Sequence, residues 1–196
     1  MYNFFKRQKD KKAEGFTLLE TLVTIVVISV GVLGAINLIN NSFGLATIAK
    51  NKLIAADLAQ EGFELVRNIR DVNYLNNNNW LQGLDNCLTS NGCLIDPSSG
   101  GQVVPVPAPS SIDQVKMCYG TNGYYSTTTN CGASQIVNFQ RVIKIYPIDA
   151  GDGGVKIISR VRWQEKGIWK DFGTNGGNFE YRLCDWKNPN PSISCY

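Results

Sequence analysis

From Phe16 to Ile36 the chain is apolar almost without a break. Thr17, Glu20, Thr21, Thr24 and Ser29 are its polar positions. As a helix this run would span about 30 Å, close to the hydrocarbon thickness of a bilayer. The pattern then changes. Ala55, Leu58, Gly62, Leu65, Ile69 and Val72 recur at three- and four-residue steps, while Asp57, Glu61, Glu64, Asn68 and Asp71 fall mostly on other faces. That spacing predicts a helical continuation with one apolar face, built to pack on a sheet. Gly62 on that face would let a strand come close. Arg67 and Asp71, at i and i+4, are expected to pair. Gly31, Gly34, Asn37, Asn40 and Asn41 are expected to loosen the helix between its two parts.

The period turns to two after residue 136. Val137, Phe139, Ile143 and Ile145 alternate with polar residues, and Arg141 interrupts that face. Val155, Ile157, Val161 and Trp163 alternate with Lys156, Arg160 and Arg162. Ile168–Phe172 and Phe179, Tyr181 and Leu183 continue the series, with turn chemistry at 149–154, 165–167 and 173–177. The fold class read from this is α+β, a long N-terminal helix packed on a C-terminal antiparallel β-meander. Five segments follow. Residues 1–15 form a cytoplasmic leader, 16–36 a transmembrane helix and 37–72 its amphipathic continuation. Residues 73–135 are a loop-rich segment marked by Cys, Pro and an Asn run, and 136–196 form the sheet and a C-terminal loop.

Charge and cysteine usage sharpen this picture. Residues 1–15 carry Lys6, Arg7, Lys9, Lys11 and Lys12 against Asp10 and Glu14, an excess equal to the +3 of the whole chain. The remainder is neutral overall, so a general nucleic-acid surface is not indicated. Basic residues before an apolar span place that end in the cytoplasm and the rest outside. The six cysteines, Cys87, Cys93, Cys118, Cys131, Cys184 and Cys195, all lie on the outer side of such a span. An even count there suggests disulfides. Proximity favours Cys87–Cys93 and Cys118–Cys131, leaving Cys184–Cys195, among many connectivities. There is no histidine. That excludes mixed Cys/His zinc patterns and the Ser-His and Cys-His nucleophile systems. No phosphate- or dinucleotide-binding motif is present. The reading is of a chain that is not an enzyme and has no cofactor.

Glu20 is the anomaly. A carboxylate at membrane depth costs about 2.5–3.5 kcal/mol on insertion scales, and such residues have partners. A secretory signal peptide has a shorter, charge-free core with its cleavage site after it. A cut after Gly15 supplies a partner. It gives Phe16 a free α-amino group, whose usual pKa of about 8 leaves it mostly cationic at neutral pH. Phe16 and Glu20 would then lie at i and i+4.

Gly15-Phe16-Thr17-Leu18-Leu19-Glu20, with its basic leader and long apolar run, resembles the processing motif of type IV prepilins and pseudopilins. The resemblance implies a pilin-like fold, cleavage after Gly15 by a prepilin peptidase and N-methylation of Phe16. It also implies that Glu20 pairs with a neighbouring subunit's N-terminus during assembly. Its partners would be other pilin subunits in a helical filament, an inner-membrane assembly platform and membrane lipid. Localisation would be the cytoplasmic membrane as a single-pass protein, then a cell-surface or periplasm-spanning filament. The close match covers residues 1–36. Where many members carry a proline, this chain has Asn37. The run Ser29–Gly34 is also similar to the helix of minor pilins of the pilus-modification type.

The expected function is a structural subunit, pilin or minor pilin, of a type IV pilus-like filament. One alternative is a pseudopilin of a type II secretion or competence machine, which carries the same motif. Another is a monomeric anchored domain that binds or catalyses. Three minor candidates complete the reading. Asp149 and Asp152 in a Gly-rich turn could hold calcium, although the turn lacks the EF-hand pattern. Lys156, Arg160 and Arg162 near Trp163 and Tyr181 suit DNA, but a solvated sheet face accounts for them better, with Trp163 expected to face the core opposite Arg162. Thr127–Thr129 are glycan candidates, whereas Asn40-Asn41-Ser42 matches a sequon but is discounted because it sits near the membrane in a helix.

Overall fold

The computed structural model describes residues 15–97, 105–120, 123–128, 130–132, 134–148, 154–165, 167–172 and 178–187. Leu18–Leu75 form one α-helix, α1. The chain divides into two compact units, Met1–Thr47 and Ile48–Tyr196, and α1 contributes to both.

In the first unit every residue from Gly15 to Thr47 is exposed. The helix is long and apolar enough to cross a membrane. It passes unbroken through Gly31, Gly34, Asn37, Asn40 and Asn41, so the expected loosening is absent. A glycine costs a helix about 1 kcal/mol relative to alanine, and a long uninterrupted ladder of backbone bonds absorbs that.

In the second unit α1 buries Ala55, Leu58, Ala59, Gly62, Phe63, Leu65, Val66 and Ile69. Val72, expected on this face, is exposed, and Asn73 and Tyr74 are buried at the helix end instead. The Asn run then has a definite role. Asn77 takes a left-handed φ of 56°, and the Asn78 amide donates to the Asn73 carbonyl at 2.9 Å. This satisfies carbonyls that the last turn leaves unpaired.

The strands, in chain order, are β1 Cys93–Leu94, β2 Val106–Pro107, β3 Lys116–Tyr119, β4 Tyr125–Thr128, β5 Gln135–Val137, β6 Phe139–Pro147, β7 Gly154–Glu165, β8 Ile168–Asp171 and β9 Asn178–Cys184. The segment read as loop-rich thus supplies four short strands and two 3-10 turns, Asp85–Leu88 and Ile112–Gln114. One sheet has the order β2-β1-β6-β7-β8, with β9 also on β7; the other is β4-β3-β5. All of the pairings are antiparallel. The larger sheet is not a simple meander. β9 returns past β8 to pair with Gly154–Arg160 of β7, while β8 occupies Arg162–Glu165 of the same strand. β7 has twelve residues, long enough for two short partners to share one edge.

Strand β6 is covered on both faces. Ile143 and Ile145 join Phe63, Val66 and Ile69 of α1, together with Val155, Ile157 and Leu183. On the opposite face Val142 packs with Leu94, Ala108 and Val115. Arg141, read as an interruption, is among the largest fully buried side chains. Its Nη1 donates to the Leu58 carbonyl at 3.0 Å and to Glu61 at 2.8 Å, and its Nη2 donates to the Ile95 carbonyl at 3.1 Å. One guanidinium therefore ties helix, strand and loop, satisfying polar groups that burial would otherwise penalise. The expected Arg67–Asp71 pair does not form. Arg67 bonds Glu64 and the Tyr181 hydroxyl, and Asp71 is taken by Arg70.

Gly62 is where helix and sheet come closest. A Cβ there would lie 2.8 Å from Ser159 Oγ and 3.2 Å from Ile143 Cδ1. Overpacking costs about 1–3 kcal/mol, against about 1 kcal/mol gained in helix propensity. Gly62→Ala is expected to lower the denaturation midpoint, and an unchanged or higher midpoint would contradict this packing. Arg141→Met, which keeps volume but leaves the Leu58 and Ile95 carbonyls without their donor, is expected to cost about 1–3 kcal/mol in chemical denaturation; a neutral outcome would show that the tie contributes nothing.

Candidate functional site

Phe16 precedes α1 rather than lying within it. Thr17 stands at the N-cap, its Oγ1 accepting from the Glu20 amide at 3.2 Å, which satisfies one of the free donors of the first turn. The processing junction Gly15-Phe16 is therefore non-helical and exposed. Thr17-Leu18-Leu19-Glu20 also fits the Thr-x-x-Glu spacing of a helix start before an apolar run. That signal is legible in the sequence alone.

The hydroxyls of the apolar run are dealt with locally. Thr21 Oγ1 donates to the Leu18 carbonyl at 2.9 Å, Thr24 Oγ1 to that of Glu20 at 2.7 Å and Ser29 Oγ to that of Ile25 at 2.7 Å. Back-bonding of this kind removes the cost of carrying hydroxyls into an apolar medium. The Glu20 carboxylate has no such outlet. Between Phe16 and Ile36 it is the one polar side chain with no hydrogen bond or ion pair among the described residues. Its position in the first turn is favourable for a negative charge. Phe16 lies just before the cap, so a free amine there would not share a helical face with Glu20 of its own chain, as i, i+4 spacing alone suggests.

Residues 10–36 match the family model of the prokaryotic N-terminal methylation motif. The chain carries the methylation motif of type IV prepilins and pseudopilins. No curated protein and no solved structure matches the chain. The prepilin-type motif implies processing by a prepilin peptidase and assembly with other pilin-like subunits in general. The helix that follows it suits membrane anchoring of a prepilin-type protein.

The other candidate residues lie apart from this segment in sequence. Cys87 bonds Cys93, and Cys118 bonds Cys131. Cys184 is also disulfide-bonded, while Cys195 lies outside the described residues. Asp149 and Asp152 lie outside them as well. Thr127 is buried in β4, which withdraws it as a glycan acceptor. The basic strand does not present free cations for DNA. Arg162 is buried, bonds Gln140 and Asp113 and lies over the Trp169 ring. Arg160 pairs with Asp171 and Lys156 with Glu180. Trp163 points the other way, into the core with Met117, Phe139 and Val161.

The bond from Arg162, with help from Ser111, holds the Asp113 carboxyl below its usual pKa. A carboxylate depressed on folding contributes stability above its unfolded pKa of about 3.9 and loses it as pH falls through the folded value. Asp113→Asn is expected to melt lower than the parent at pH 7, with the gap narrowing as pH falls below the usual carboxylate range. A gap that does not narrow on acidification would mean that the carboxylate's charge is not the source.

Proposed function

We propose that the chain is a structural, non-enzymatic subunit, pilin or minor pilin, of a type IV pilus-like filament. Prepilin peptidase cuts it after Gly15 and methylates Phe16. The protein then waits in the cytoplasmic membrane as a single-pass protein, with residues 1–15 inside and the sheet unit outside. On assembly, α1 joins the bundled helices of the fibre core, and the fibre stands at the cell surface.

The observation that carries this reading is the carboxylate of Glu20, unpartnered among the described residues, in an exposed apolar helix that bears the methylation motif. In the membrane or in a helix bundle that charge is costly alone. A cationic amine of a neighbour's Phe16 offsets the cost and does so in one register only. The disulfide-bonded sheet unit suits exposure outside the cell. A pseudopilin of a secretion or competence machine would use the same motif and the same pairing. A monomeric anchored domain would have no use for Glu20.

Glu20→Ala tests the assignment in the native host. The variant is expected to fold, reach the membrane and lose its leader normally. Its recovery in sheared filaments should fall about tenfold or more, since loss of roughly 1.4 kcal/mol per contact already gives that factor. Filament recovery equal to the parent would contradict the role given to Glu20.

A further inference from the structure

A recess of about 300 Å³ opens in the second unit where β5 gives way to β6. Asn51 of α1, Gln135, Asn138 and Gln164 line it, beside the rings of Phe139 and Trp163. No lining residue is charged. None of the four amide side chains makes a hydrogen bond among the described residues. Trp163 is 3% exposed, and its indole Nε1 is buried without a partner. A buried unpaired N–H is a cost the fold carries with no structural return.

The ground beside the recess has the same character. In the β4-β3-β5 sheet, Tyr119 pairs across to Tyr125 on one side and to Gln135 on the other. Directly opposed residues share a face of the sheet. The two tyrosine rings are 5.3 Å apart. From Cys118 to Ile136 the chain has no charged residue and is rich in Tyr, Thr, Ser, Asn and Gly. Tyrosine with small polar residues gives rigid amphipathic contact area with adaptable hydrogen bonding.

We propose that this recess binds a neutral saccharide. Each carboxamide offers two donors and an acceptor, which matches hydroxyl groups that both give and take hydrogen bonds. The Tyr119 and Tyr125 rings beside the recess suit the apolar face of a sugar ring. A polyanion finds no cation in the lining, and an apolar ligand leaves four amides and an indole N–H unpaired. The volume lies at the low end of the range of about 300–1,000 Å³ for small-molecule sites, so the ligand is a short saccharide. This goes beyond the role as a filament subunit and does not depend on which machine uses the chain.

The test uses the full chain in a phosphocholine detergent, which carries no sugar. Lactose, maltotriose and triacetylchitotriose are titrated by calorimetry and by tryptophan fluorescence. At least one is expected to bind with a Kd of about 1 mM or below, independently of salt. Asn138 and Gln164 are exposed, so Asn138→Ala and Gln164→Ala keep the fold and should each weaken binding several-fold to about tenfold. Trp163→Phe removes the N–H and should weaken it too, with unchanged circular dichroism as the control for folding. Lys144→Ala, away from the recess lining, should change nothing. Failure of all three sugars to bind at about 10 mM would overturn the proposal. So would binding that ignores the amide variants, or binding confined to a sialylated analogue or to an unstructured peptide.

Discussion

Among the described residues, a carboxylate without a partner sits in the first turn of a helix that has nothing else polar left unsatisfied over its apolar run. Threonine and serine hydroxyls can turn back to their own helix, whereas a carboxylate accepts only and needs a donor from elsewhere. In the proposed filament, cleavage before Phe16 would supply the missing donor, because it creates an amine. The N-cap at Thr17 places that amine outside the helix and leaves Glu20 facing its surroundings.

The same helix meets a different requirement in the second unit. From Ala55 to Ile69 it buries one face on the sheet, with Gly62 at the closest approach and Arg141 bonding the Leu58 carbonyl. The guanidinium keeps its polar partners satisfied within a well-packed interior, and the short strands around it are stapled by two disulfides. Small strands of two to four residues contribute little on their own. Bridges at Cys87–Cys93 and Cys118–Cys131 limit the freedom of the chain around them, which stabilises such strands mainly by restricting the unfolded ensemble.

Much of this could be read from residue spacing, and the exceptions have physical causes. The apolar run and the three-four stripe of α1 follow helical periodicity directly. The partial meander could not be read, because alternation says which residues face the core and nothing about β8 and β9 sharing one edge of β7. Arg141 looked like a break in a face, since a lone basic residue in a strand carries no mark of the carbonyls that will meet it. The buried stripe ends one turn before Val72, where Asn73 and Tyr74 take over. The basic strand looked solvated because its carboxylate partners, Asp113, Asp171 and Glu180, come from other parts of the chain. The amide recess left no trace in the sequence. Its four amides stand at positions 51, 135, 138 and 164, and only the fold brings them together.

The most direct measurement is mass spectrometry of the N-terminal peptide from membranes of the native host. A peptide that begins at Phe16 and carries one added methyl group on its amine is expected. A retained leader, or an N-terminus created beyond Ile36, would contradict it, because Glu20 would then have lost the cation that its position calls for.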